Sequence, residues 1–104
     1  MLALLEEKRD ELTELCRRYR VRRLDLFGSA AIADHFDPLH SDFDFLVEFH
    51  ADQNLGPWLK HYFEFQRQLA HLFGRPVDLV MASALRNPYF IREIDRTRRP
   101  LYAA

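Results

Sequence analysis

The sequence predicts an α/β (α+β) domain in which helices pack on a small mixed sheet, on three observations. Short strand-like segments alternate with amphipathic helical segments; one of those strands is cleanly two-faced; and Gly or Pro stands at most of the junctions. With 104 residues, 48% of them hydrophobic, residues 1–104 read as a single domain around one core, with no repeat, low-complexity stretch or linker.

Residues 2–19 space Leu5, Leu12, Leu15, Cys16 and Tyr19 at steps of three, four and seven, with charge on the other face, which predicts an amphipathic helix. Arg22 to Phe27 turns apolar and stops at Gly28, a strand running into a tight turn, and Ser29 to Ala33 suit a short helix beginning at Ser29. Asp34 to Ser41, with Pro38, His35 and His40, reads as a surface loop whose histidines face solvent. Phe43 to Phe49 alternates two faces: Phe43, Phe45, Val47 and Phe49 against Asp42, Asp44, Leu46 and Glu48. Pro57 suits a first helical turn, and Trp58, Leu59, Tyr62, Phe63, Leu69, Leu72 and Phe73 recur at helical spacing up to Gly74. Val77 to Val80 is a third strand, Asn87-Pro88 an N-cap with proline at the first helical position, and Pro100 ends the helix that follows.

Fifteen Lys+Arg against sixteen Asp+Glu leave a formal charge of −1, without the positive field that drives binding to phosphate backbones, so direct nucleic-acid binding is not expected. The single cysteine, the absence of a signal peptide and the absence of a long apolar run predict a cytoplasmic protein that does not span a membrane.

The chemistry lies in five residues. Asp42 and Asp44, two apart on a strand, project from one face roughly 6–7 Å apart, so their oxygens can converge on a hard cation such as Mg²⁺; exposed acids at a strand start are the plain alternative. Gly28-Ser29 at a strand-to-helix junction offers close backbone approach, free N–H groups and a hydroxyl to a phosphate; taken alone such a dipeptide is more often just a capped turn. Asp78 interrupts an apolar run, where a buried acid needs a cation or donors, and an exposed edge position is the other reading. If its strand neighbours the first pair's strand, it lies about 5 Å from it.

The run Leu26-Phe27-Gly28-Ser29, then a loop, then Ser41-Asp42-Phe43-Asp44-Phe45, resembles the GS…DxD signature of the polymerase-β-like minimal nucleotidyltransferases. Gly74 to Val80 resembles the strand that supplies that family's third acid, and Asn87 onward its C-terminal end, so the resemblance covers nearly the whole chain. It departs from the family at Ile32-Ala33, where many members carry Arg-Gly, and in a longer loop over residues 30–41. The resemblance implies a polymerase-β-like fold and an antitoxin that transfers AMP from ATP to a tyrosine of a HEPN-domain ribonuclease toxin, in a hetero-oligomer with it. It implies further that Asp42 and Asp44 bind two Mg²⁺ ions, that Asp78 completes the metal site and serves as general base, and that Gly28 and Ser29 hold the β- and γ-phosphates. The alternative is an antitoxin with weak or no transferase activity that neutralises its partner by covering it. Trp58, Tyr62, Phe63 and Phe65 exceed what one helix face needs; a large core accounts for them most simply, and a docking surface for any remainder.

Overall fold

The computed structural model describes residues 3–32, 42–51 and 54–104. The loop expected over residues 34–41, with His35 and His40, lies outside them, as does Ala33.

Two short helices open the described chain, α1 (Ala3–Glu7) and α2 (Arg9–Arg18). The helix expected over residues 2–19 is thus interrupted at Lys8, but only locally, because Lys8 N–H still bonds to Leu4 C=O and Leu12 N–H to Lys8 C=O. Asp10 and Glu11 in the first turn of α2 and Arg17 and Arg18 in its last complement the helix dipole, while Leu12, Leu15 and Cys16 face the core. Burial of Cys16 pushes its thiol up to about 12, so it serves as a small apolar core residue rather than a nucleophile.

Strands β1 (Val21–Phe27), β2 (Phe43–Phe49), β3 (Val77–Met81) and β4 (Arg99–Ala103) make one mixed sheet in the order β3-β2-β1-β4. β1 runs antiparallel to β2 and to β4, and β2 runs parallel to β3, as a strand pair joined through a helix requires. That helix is α3 (Lys60–Phe73). It starts three residues later than its apolar pattern suggests. Pro57–Leu59 form a 3₁₀ turn in which Trp58 and Leu59 both take left-handed φ values near +55°, swinging Trp58 into solvent. At the other end Gly74 takes φ +64° and its N–H caps Ala70 C=O. A Cβ there would meet nothing within 4 Å, so Gly74→Ala is expected to cost only the left-handed penalty, about 1 kcal/mol, read as a modest fall in urea midpoint.

Asn87 caps α4 (Pro88–Thr97) as expected, its side-chain oxygen accepting from Tyr89 N–H at 2.9 Å. After Pro100, however, the chain does not simply end. Arg99–Ala103 pairs with β1 as an edge strand, where proline is tolerated because one row of its backbone groups needs no ladder partner.

The helices divide between the sheet's two faces. Leu24, Leu26, Phe43, Phe45, Val47, Val77 and Leu79 pack with α1, α2 and α3, where Phe43, Phe45 and Phe73 form edge-on and tilted ring contacts 5.1–5.9 Å apart. Phe27 and Leu46 point the other way, onto Ile94 of α4, with Val80 and Leu85 alongside. The strand alternation read for Phe43 to Phe49 is therefore real. Among the described residues, the sheet face that carries Asp44 packs against the ten-residue helix α4.

The outer edge of β3 is not left bare: Tyr62 O–H donates to Leu79 C=O, and Gln66 Nε2 donates to Val77 C=O at 2.9 Å, both from α3. Among the described residues no helix is long and apolar enough to cross a membrane.

Candidate active site

Four of the five predicted residues meet at one place. The register sets Phe27 opposite Asp44 on β1 and β2, and Asp44 opposite Asp78 on β2 and β3, so the residue before the glycine turn and the two acids lie in one row across the sheet. Adjacent strands are about 4.8 Å apart, close enough for the two carboxyl groups to share a proton. Asp44 is pushed up to about 6, first by burial, then by hydrogen bonding with Asp78, then by the charges of Asp78 and Asp42. A carboxylate held against another in this way attracts a cation, and hard oxygen donors suit Mg²⁺.

Asp42 lies just outside β2, exposed, and acts on Asp44 only through its charge. Among the described residues no group of three acids, histidines or cysteines is gathered closely enough to hold one ion. Asp44 and Asp78 stand side by side in register, and Asp42 lies one residue before β2. Asp78 is exposed, at the edge of the sheet, rather than buried in an apolar strand.

Gly28 begins a four-residue 3₁₀ turn, Gly28–Ala31, with φ +73°. A Cβ at this position would stand 2.6 Å from Asp44 Oδ2, so the turn presses on the carboxylate as closely as backbone alone permits. The expectation of free N–H groups at a helix start holds less well. The turn is too short for an appreciable dipole, and Gly28 N–H is already donated to Thr97 Oγ1 at 3.0 Å.

Two cavities adjoin this row. One, of about 300 Å³, is bordered by Gly28, Ser29 and Ile32 on the turn and by Glu93, Arg96 and Thr97 of α4. The other, of about 400 Å³, is bordered by Asp44, Asp78, Gln66 and Val80. Phe27 and Phe90 line both, their rings edge-on 6.1 Å apart, as the partition between them. Both volumes are at the lower end of the small-molecule range. Nothing local in the sequence singles out Phe90, Gln66 or Thr97; Phe27, directly before the glycine, is the one whose position signals a place in the site.

Of the four aromatic residues that exceed one helix face, Phe65 is core and Tyr62 half-buried, whereas Trp58 is 93% and Phe63 46% exposed. Tyr89 and Phe90, at the start of α4, are exposed as well.

A mixed four-stranded sheet carrying a glycine turn against paired strand acids fits a nucleotidyltransferase, and the family match shows that class. The chain belongs to the nucleotidyltransferase domain family, whose model matches residues 9–101. It is 37% identical over 81 residues to a candidate protein adenylyltransferase of Methanocaldococcus jannaschii, spanning 78% of this chain and 76% of that one. Among solved structures it resembles a candidate minimal nucleotidyltransferase, with a TM-score of 0.71, 28% identity, and 92% and 91% of the two chains covered. It also has the fold of a chain in the complex of tri-AMPylated Shewanella oneidensis HEPN toxin with MNT antitoxin, at a TM-score of 0.65, 17% identity, and 96% and 73% coverage.

Proposed function

We propose that this chain is a Mg²⁺-dependent protein adenylyltransferase that acts as an antitoxin in the cytoplasm, transferring AMP from ATP to a tyrosine of a HEPN-domain toxin with which it associates. The observation that carries the reading is the close approach of the glycine turn to the acid pair: a Cβ on Gly28 would lie 2.6 Å from Asp44, which stands in register with Asp78 on the neighbouring strand. A triphosphate held at Gly28 and Ser29 then has its α-phosphorus beside the carboxylates. The names of the Methanocaldococcus relative and of the Shewanella complex support the choice of reaction and of partner.

The tyrosine oxygen forms a new bond to the α-phosphorus, the bond from that phosphorus to the bridging oxygen breaks, and pyrophosphate leaves. In this reading Asp78, exposed beside the 400 Å³ cavity, accepts the phenolic proton. The Gly28–Ser29 turn holds the departing phosphates through the backbone and hydroxyl of Ser29, Gly28 giving close approach while its own N–H stays on Thr97. Asp42, Asp44 and Asp78 would supply the oxygen donors for Mg²⁺, which when bound would neutralise triphosphate charge and make the attacking hydroxyl more acidic. Catalysis here is positioning and charge compensation.

Incubating the chain with ATP, Mg²⁺ and a co-encoded HEPN protein, then weighing the latter by mass spectrometry, is expected to show added AMP on a tyrosine. A partner bound but unmodified would instead establish neutralisation by covering, for which the exposed Trp58 and Phe63 supply apolar surface.

A further inference from the structure

Thr97 and Asp25 are the buried polar or charged residues among those described, and the mechanism above uses neither. Thr97 is 6% exposed at the last position of α4, and its hydroxyl has three neighbours: Gly28 N–H at 3.0 Å, Glu93 C=O at 3.1 Å and Ile94 C=O at 3.4 Å. Valence settles the polarity. A hydroxyl has one proton, which goes to the helix carbonyls, so toward Gly28 the oxygen can only accept. The bond reaches across 69 positions of sequence to the first residue of the glycine turn.

We propose that Thr97 is a positioning residue for nucleotide binding, its hydroxyl holding the Gly28–Ser29 turn at its working distance from Asp44. Gly28 has contact on two sides. Its Cα lies against Asp44, so close that no side chain fits between them, and its N–H is tethered to Thr97. With the tether cut, the turn is free to move away from the carboxylate that it crowds, and the phosphate subsite moves with it. Thr97 is itself held in place. The next residue, Arg98, donates from Nε and Nη2 to Asp25 Oδ2 at 2.8 and 2.5 Å, fastening the end of α4 to the middle of β1. A chain of contacts thus runs from the sheet through Asp25, Arg98 and Thr97 to Gly28 and Asp44, and each link is a hydrogen bond, a covalent neighbour or a van der Waals contact.

The inference rests on the reading of Gly28-Ser29 as the phosphate-holding turn, and the test separates the two. Thr97→Val keeps the shape and removes only the hydroxyl. Binding of Mg²⁺ and α,β-methylene-ATP, a triphosphate that cannot be cleaved at the reacting bond, is measured by calorimetry for the parent and for Thr97→Val and Thr97→Ser. Exchange of the Gly28 amide with deuterium is followed by NMR without nucleotide. The expected result is about tenfold weaker binding for Thr97→Val, the loss of one net hydrogen bond, with faster Gly28 exchange and with both restored in Thr97→Ser. Thr97→Ala against Thr97→Ser isolates the hydroxyl in the same way should the valine variant not fold. Unchanged affinity in Thr97→Val, or equal loss in the valine and serine variants, overturns the proposal, because the hydroxyl then is not the agent. A parent chain that binds no triphosphate overturns the transferase reading and this inference with it. Unchanged affinity in a variant of a parent that does bind overturns this inference alone.

Discussion

Asparagine in place of Asp44 is expected to abolish nucleotidyl transfer while making the fold more stable at neutral pH. Removal of one charge from a preorganised site commonly lowers a rate by two to three orders of magnitude, and here the variant loses the donor nearest the glycine turn. The stability change has the opposite sign because Asp44 rises from its ordinary 3.8 to about 6 on folding. The folded chain therefore binds more protons than the unfolded chain between those values. Asp44's contribution is fully present below about pH 3.8 and is lost as pH rises through 6, above which its charge opposes folding. The neutral amide of Asp44→Asn meets no such opposition, so urea unfolding at pH 7.5 is expected to favour the variant by on the order of 1 kcal/mol after allowance for the pair's partial exposure, and the gap should close toward pH 4. Mg²⁺ should raise the melting temperature of the parent more than that of the variant. Asp42→Asn is expected to lose activity as severely but to gain less stability, its charge being the last of the four causes acting on Asp44. Full activity in either variant would remove the residue from the site.

Arg98→Met is expected to cost about 3–5 kcal/mol, a large share of a small domain's whole stability. Asp25 is wholly buried in a central strand, and Arg98 makes two of its three charged hydrogen bonds; the third, from Arg23 at 3.2 Å, comes from a half-exposed side chain. Without Arg98 the carboxylate stays desolvated and under-compensated. The cost lies in that stranded charge rather than in the lost attraction, so Asp25→Leu combined with Arg98→Met should be far less destabilised than Arg98→Met alone. A double-mutant cycle by urea denaturation reads the difference, and additive effects would refute the pairing.

Asp25 and Asp78 also mark the limit of reading by pattern. Leu24-Asp25-Leu26 and Val77-Asp78-Leu79 are the same local sentence, one acid between apolar neighbours on a strand. The expectation of a buried acid in need of a partner attaches to Asp78 in the sequence, and it is Asp25 that answers it. Strand order makes the difference: β1 lies between β2 and β4, whereas β3 is an edge. Periodicity reports which residues share a face; it carries no information on how many strands flank that face. The same gap hides β4, since proline followed by a few residues of mixed character reads as a helix stop until a neighbouring strand offers hydrogen bonds.

Much of the protein is determined locally. The two faces of Phe43 to Phe49, the Asn87 cap, the Gly74 stop and the apolar stripes of α2 and α3 follow from side-chain spacing and backbone preference within a few residues. The glycine turn and the DxD spacing point to the site without any knowledge of the fold. Tertiary structure alone decides that Asp44 faces Asp78 in register, that Gly28 leaves no room for a Cβ beside Asp44, and that Thr97, far along the chain, holds the Gly28 amide. These are contacts between segments distant in sequence. Their distances are set by how the sheet orders its strands and how α4 lies across them, quantities that no short run of residues encodes.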